Sequence, residues 1–183
     1  VRYESPVAFM RGYLGGMKTA PYGAPPPPTD APVVLGSLHP RMIALAAAET
    51  AGVLTYSTPP QKTAQIRAAL RLEKWLCAEQ AVLLEQDATR ARAAARAYMS
   101  SYLRIPHYAT MLGTVGFKPA DFVDGGSDQL VDAIVAWGSE DTVRSRLAAH
   151  RAAGADHVCI LPLGPDGSVR PDDRAIEALA PRG

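Results

Sequence analysis

The chain has 183 residues, of which 48% are hydrophobic and 20% charged, and its formal net charge is +1. This composition is typical of a globular protein of one domain, and it excludes a disordered acidic or basic tail. Because the charge is almost balanced, no broad basic surface is available, and we expect no nucleic-acid partner.

The two cysteines, Cys77 and Cys159, are too few for a disulfide framework and belong to no zinc-binding pattern. His157 and Cys159 can share one face of a strand, but no third ligand accompanies them, so we expect no metal site. These features favour a reducing, cytoplasmic location. The sequence has neither the regions of a signal peptide nor the roughly 18 apolar residues of a membrane span, so we expect no membrane partner.

Residues 1–31 are predicted to form a short helix and a proline-rich linker. Between Ser5 and Lys18 the apolar residues recur at near-helical spacing. Six of the 16 prolines lie between Pro21 and Pro32, next to a glycine and an aspartate. Such a segment is a stiff, extended connector.

Residues 32–163 alternate apolar strands with helices. The predicted strands are residues 33–38, 53–57, 81–86 and 157–163. Because these runs are apolar without alternation and helices join them, we predict a parallel sheet covered by helices. Residues 164–183 are predicted to form a tail with a short helix.

The first two helices of this region have recognisable start signals. Pro40 stands at a first helical position, and that helix is predicted to end at Gly52. Thr58, two prolines and Gln61 form a capping-box signature, which predicts Thr58 as the N-cap of the next helix.

Later elements follow the same signals. Asp87 is predicted to cap a helix that reaches about Leu103, Ser127 and Ser139 to cap two further helices, and Gly154 to end the second of these. Residues 104–124 are irregular and are interpreted as an insertion.

Six segments, in order and spacing, resemble one known family over roughly residues 30–163. They are residues 32–42, 55–59, 79–85, 102–108, 125–133 and 154–160. The resemblance is to the luciferase-like monooxygenase superfamily, and within it to the branch that depends on the deazaflavin coenzyme F420.

The resemblance implies a TIM barrel of eight strands, of which this chain resembles the second half. Its four strands look like the fifth to eighth, and the insertion follows the third strand present. The fold class expected is therefore α/β, a partial (β/α)8 barrel. A full barrel has about 250 residues, so we expect the first four strands to be missing.

The resemblance also implies a cofactor site at the carboxyl ends of the strands. The residues assigned to it are Gly36, Ser37, His39, Tyr56, Ser57 and Thr58. The first two precede a helix N-terminus, which favours an anion such as a cofactor phosphate. Alternatively, Gly36 serves close packing, Ser37 or His39 caps the helix, and Thr58 is only an N-cap.

His107 and Tyr108 lie in the insertion, which can close over the pocket of a complete enzyme as a lid. The alternative is an ordinary surface histidine beside a proline. Arg104 and His150 are explained by favourable positions at helix carboxyl ends.

The function implied is hydride transfer between coenzyme F420, with FMN as the alternative, and a small organic substrate. No catalytic residue is assigned, because the resemblance places those groups on the early strands. The chain is then a half-barrel oxidoreductase completed by another chain or a second copy. The alternatives are a non-catalytic remnant and a small α/β binding module. Exposed sheet edges and one open face predict a homo-oligomer or a missing N-terminal half-barrel as partner.

Overall fold

A computed structural model describes residues 5–21, 23–25 and 27–181. Its sheet has five strands: β1 (Val34–Gly36), β2 (Gly52–Thr55), β3 (Trp75–Leu83), β4 (Val135–Trp137) and β5 (His157–Pro162). Every pairing between them is parallel. The predicted parallel α/β sheet is thereby confirmed.

β3 is the centre of the sheet. Ala78 pairs with both β2 and β5, and Ala81 pairs with both β4 and β5. A strand has only two edges, so β2 and β4 share one edge of β3 and β5 occupies the other. β1 pairs with the far side of β2. The carboxyl end of β3 is thus flanked by β4 and β5.

Eight α-helices connect and cover the strands within the described residues. They are α1 (Pro6–Thr19), α2 (Pro40–Glu49), α3 (Pro60–Ala69), α4 (Ala88–Met99), α5 (Pro106–Gly113), α6 (Asp128–Ile134), α7 (Glu140–Ala152) and α8 (Asp173–Leu179). The predicted N-terminal helix and tail helix match α1 and α8, whereas the division of the chain into three regions stays a prediction. None of the described helices has the length and apolar character needed to cross a membrane.

Local sequence explains most helix starts. Proline stands at the beginning of α1, α2, α3 and α5, where a missing N–H costs nothing. Asp87, Ser127 and Ser139 cap α4, α6 and α7 with their side chains, as predicted. Gly154 follows the end of α7 with a φ of 98°, in the left-handed region that favours glycine.

The two faces of the sheet pack against different helices. Leu35, Val53 and Leu76 are in register and pack with apolar residues of α1, α2 and α3. Successive side chains alternate across a strand, so Cys77, Glu79, Ala81 and Leu83 lie on the opposite face. Ala81 and Leu83 pack with α4, α5 and α6, the segment that contains the predicted insertion. This segment therefore covers the carboxyl half of this second face, which we call the inner face.

Several predicted boundaries were wrong. β3 begins at Trp75 and ends at Leu83, not at residues 81 and 86, and α4 ends at Met99, not at Leu103. The predicted strand began only after Glu79 and Gln80, but both of these polar side chains are buried within β3. β4 was missed because its three residues follow α6 without any turn signal.

The predicted capping box at α3 was also wrong. The N-cap of α3 is Pro59 and the helix begins at Pro60, so Thr58 lies one residue too early to reach the helical N–H groups. The helix before it, α2, ends at Glu49 rather than at Gly52. Gly52 opens β2 instead, and a Cβ there would lie 2.1 Å from the carbonyl oxygen of Trp75.

Candidate functional site

The site assembles where β1, β2 and β3 end. β1 ends at Gly36 and β2 at Thr55, so the loops that hold Ser37–His39 and Tyr56–Thr58 leave the sheet on the same side. In barrels of parallel strands, that side carries the chemistry. All six predicted site residues therefore lie at the end of the sheet that the insertion partly covers.

The geometry distinguishes between the two interpretations of Gly36 and Ser37, as ligand-binding residues or as packing and capping residues. A Cβ on Gly36 would meet no atom within 4 Å, so the packing explanation for this glycine is wrong. The N–H of Ser37 donates to the carbonyl of Leu54 at 3.0 Å, and its hydroxyl donates to Leu35 at 3.2 Å. Ser37 can therefore only accept hydrogen bonds from a ligand, and it does not cap α2, whose N-cap residue is His39.

A continuous series of rings joins the two loops to the insertion. The ring centroid of His39 lies 5.7 Å from that of His107, which stacks on Tyr108 at 4.7 Å. Tyr108 lies 5.5 Å from Tyr102, and Tyr102 lies 5.5 Å from Tyr56. The insertion thus lies over the predicted site residues, and Tyr108 is buried there.

Hydrogen bonds connect the second loop to the same helices. The hydroxyl groups of Tyr56 and Tyr102 share a bond of 2.7 Å, and those of Ser57 and Tyr98 share one of 3.2 Å. Burial raises the pKa of Tyr56 to about 12, so its hydroxyl stays protonated at neutral pH. Ser57 has a φ of 50°, a left-handed conformation that is uncommon for serine.

Glu79 is the titratable group at the centre of the inner face. It is 7% exposed, and one carboxylate oxygen accepts the Ser57 N–H at 3.1 Å. The other oxygen, Oε1, is buried without a hydrogen-bond partner among the described residues. Burial raises the pKa of Glu79 to about 7, although the hydrogen bond from the Ser57 N–H acts to lower it. A carboxyl in this state can take up or release a proton near neutral pH.

Two other buried polar atoms lack hydrogen-bond partners within the described chain, and both belong to predicted site residues. They are Oγ1 of Thr58 and Nε2 of His39. Buried polar atoms are rarely left unpaired, so such atoms point to a missing partner. Burial, together with the charges of His107 and Lys62, lowers the pKa of His39 and keeps its ring neutral.

The sequence did not single out Glu79, Tyr98, Tyr102 or Lys62 as site residues. One signal was present for Glu79, since a carboxylate within an apolar strand needs a reason to be buried. The tyrosines carry no such signal, because their approach to Ser57 and Tyr56 depends on how the insertion folds back. No three His, Cys, Asp or Glu side chains in the described ranges are placed to hold a metal ion.

Comparison with solved structures shows the same fold at low sequence identity. The coenzyme F420 dependent tetrahydromethanopterin reductase from Methanopyrus kandleri is 20% identical, with a TM-score of 0.52 over 81% of this chain and 48% of that chain. An F420-dependent secondary alcohol dehydrogenase in complex with an F420-acetone adduct is 12% identical, with a TM-score of 0.56 over 85% and 51%.

A third structure, apo-MsnO8, is 18% identical, with a TM-score of 0.50 over 96% of this chain and 60% of that chain. The chain thus spans between 48% and 60% of the length of these structures. No curated protein matches it.

The sequence itself matches a family model. Residues 13–157 fit the model of the luciferase-like monooxygenase family, a range that covers most of the chain, from α1 to the first residue of β5. The parallel sheet and the order of strands and helices agree with a partial barrel of that family's kind. On these grounds the chain belongs to the luciferase-like monooxygenase family.

Proposed function

We propose that this chain forms the cofactor-binding half of an oxidoreductase that transfers a hydride between coenzyme F420 and a small organic substrate. Two of the structurally similar proteins are described as F420-dependent, which supports this cofactor over FMN. The observation that carries the proposal is the set of unpartnered buried atoms on His39, Thr58 and Glu79 at the carboxyl end of the sheet.

The residues of this end suit such a cofactor. Open space above Gly36 admits a ligand against the backbone. Tyr56 offers a ring face and a hydroxyl, and Thr58 and His39 offer polar atoms that have no other partner. When bound, F420 would supply the hydride chemistry. The protein would orient it and exclude water, with the insertion and its residues His107 and Tyr108 acting as the cover.

Titration with the cofactor tests the proposal directly. Purified protein is titrated with F420 and, separately, with FMN, and binding is followed by absorbance and calorimetry. We expect saturable binding of F420, with FMN weaker. The variant Thr58→Val keeps the shape of the side chain but removes its hydroxyl, and we expect it to bind F420 several-fold more weakly. Absence of binding by both cofactors would contradict the proposal and favour a non-catalytic relative.

We further propose that the chain works in the cytoplasm and associates with a second copy or with another half-barrel. Trp75 supports the association, since it is a large apolar residue of the inner face that remains 50% exposed. The edges of β1 and β5 that are unpaired within the described residues support it as well.

A further inference from the structure

The side chain of Lys62, near the start of α3, is unusual for a lysine. The residue is only 6% exposed. Its ammonium donates to Thr114 Oγ1 at 3.0 Å and, at a longer 3.4 Å, to Gln65 Oε1. Both acceptors are neutral, and no carboxylate of the described residues lies within 4 Å of its nitrogen. Buried charges in proteins are normally paired, so this cation lacks a counter-ion.

Unpartnered atoms of the site come from segments next to this cation in the fold. Thr58 lies in the loop four residues before Lys62 and is 1% exposed, with no partner for its hydroxyl among the described residues. His39 is close enough for the charge of Lys62 to affect its ring, whose Nε2 is buried and unpaired. One hydroxyl, one imidazole nitrogen and one ammonium thus lie at this end of the sheet, and none of them has an acidic partner among the described residues.

We propose that Lys62, Thr58 and His39 form a binding site for an oxyanion, a phosphate or carboxylate group of a small molecule. An ammonium and a hydroxyl donate to such oxygens, and the bonds from the ammonium are charge-assisted. Nε2 of His39 can donate to the oxyanion when this nitrogen carries the ring proton, or accept from a phosphate oxygen that keeps its proton. The argument does not depend on the helix N-terminus, because Pro59 and Pro60 have no N–H to offer.

α5 covers this site at both of its ends. His107 near the start of α5 contacts the ring of His39, and Thr114 at its end accepts the bond from Lys62. The hydroxyl of Thr114 also donates to Met111 at 2.6 Å, so it serves Lys62 only as an acceptor. The ammonium has a third N–H, so an oxyanion can bind Lys62 beside this neutral oxygen or in its place.

The source of the oxyanion rests on the function proposed above, since it belongs either to the cofactor or to the substrate. The site itself does not depend on that function. Its ligand chemistry can therefore be measured with inorganic phosphate and acetate, whether or not a redox cofactor binds.

The test is calorimetric titration of phosphate and of acetate, at constant ionic strength, into wild type, Lys62→Met and a control, Lys74→Met. Lys74 is a half-buried lysine that, like Lys62, donates to a neutral acceptor, here the carbonyl of Thr50, but it lies at the amino end of β3. We expect saturable binding to wild type and K74M, and at least about ten-fold weaker binding to K62M. Absence of saturable binding to wild type, or equal affinity in K62M, would overturn the proposal.

A second variant keeps the test decisive if K62M is poorly folded. Thr114→Val removes the acceptor that competes for Lys62, so phosphate should bind it several-fold more tightly than wild type; equal or weaker binding counts against the site.

Titration with F420 then identifies the source of the oxyanion. An equal loss of F420 and phosphate affinity in K62M assigns the oxyanion to the cofactor, whereas a loss of phosphate affinity alone assigns it to the substrate. Phosphate binding without any F420 binding sustains the site but contradicts the proposed function.

Discussion

Two buried titratable residues, on β3 and α7, change the pH dependence of stability in opposite directions. Glu79 has a folded-state pKa raised from 4.5 to about 7, and His150 has one lowered from 6.5 to about 4, both mainly through burial. The sequence explained His150 as a cation at a helix end, which was wrong. Its ring is fully buried between Thr63 and Gln80 and stays neutral. The amide of Gln80 donates to two carbonyl groups, so its oxygen accepts from the imidazole.

The two groups predict a pH profile that their variants separate. Between pH 4.5 and 7 folded Glu79 holds more protons than the unfolded chain, so its contribution to the unfolding free energy falls as pH rises, by about 3 kcal/mol. Folded His150 holds fewer protons between pH 4 and 6.5, and its contribution rises by about the same amount. The two changes nearly cancel where the ranges overlap.

Urea denaturation at a series of pH values measures both contributions. Relative to wild type, Glu79→Gln should gain stability as pH rises from 4.5 to 7, because the penalty for charging the buried carboxyl is removed. His150→Gln should change in the opposite direction. Parallel pH profiles for wild type and E79Q would show that Glu79 is ionised at its ordinary pKa.

At the scale of elements, local signals sufficed where a residue acts on its own segment. Proline at a helix start and the caps Asp87, Ser127 and Ser139 were predicted correctly because each acts within one turn. β4 was not predictable, since its three residues form a strand only through their pairing with residues 81–83 of β3. The same holds for the site, where α4 and α5 bring tyrosines to loops distant in sequence.

The close approach of β2 and β3 gives a prediction for Gly52. Gly52→Ala places a Cβ 2.1 Å from the Trp75 carbonyl oxygen. Because this neighbour is backbone, relieving the overlap requires the two strands to move apart. We expect it to destabilise the protein by about 2 kcal/mol or more, measured by chemical denaturation. The matched control is Gly36→Ala in the neighbouring strand, where no atom lies within 4 Å. A loss of stability of similar size in both variants would contradict the contact explanation, because a Cβ at Gly36 meets no atom and alanine is otherwise favoured over glycine in a strand.

At the scale of the whole molecule, the inner face of the parallel sheet is covered unevenly. The insertion buries Glu79, Ala81 and Leu83 near the carboxyl end, which the sequence did not predict. At the amino end, Trp75 on the same face remains exposed. The exposed part of the inner face is therefore smaller than it would be without these covering helices. It is concentrated at the amino end of β3.

Because the exposed part of the inner face lies around Trp75, we predict that the chain associates with itself through this surface. Sedimentation velocity over a range of concentrations should show a dimer of wild type, because burying the exposed indole removes a large apolar area from water. Trp75→Ser should weaken that dimer at least about ten-fold, since a buried aromatic is typical of interface hot spots. Leu72→Ser is the control, because Leu72 is 87% exposed but lies in the turn before β3. Equal dimerisation of wild type and W75S would place the interface elsewhere, and a wild-type monomer at all concentrations would contradict self-association of the chain.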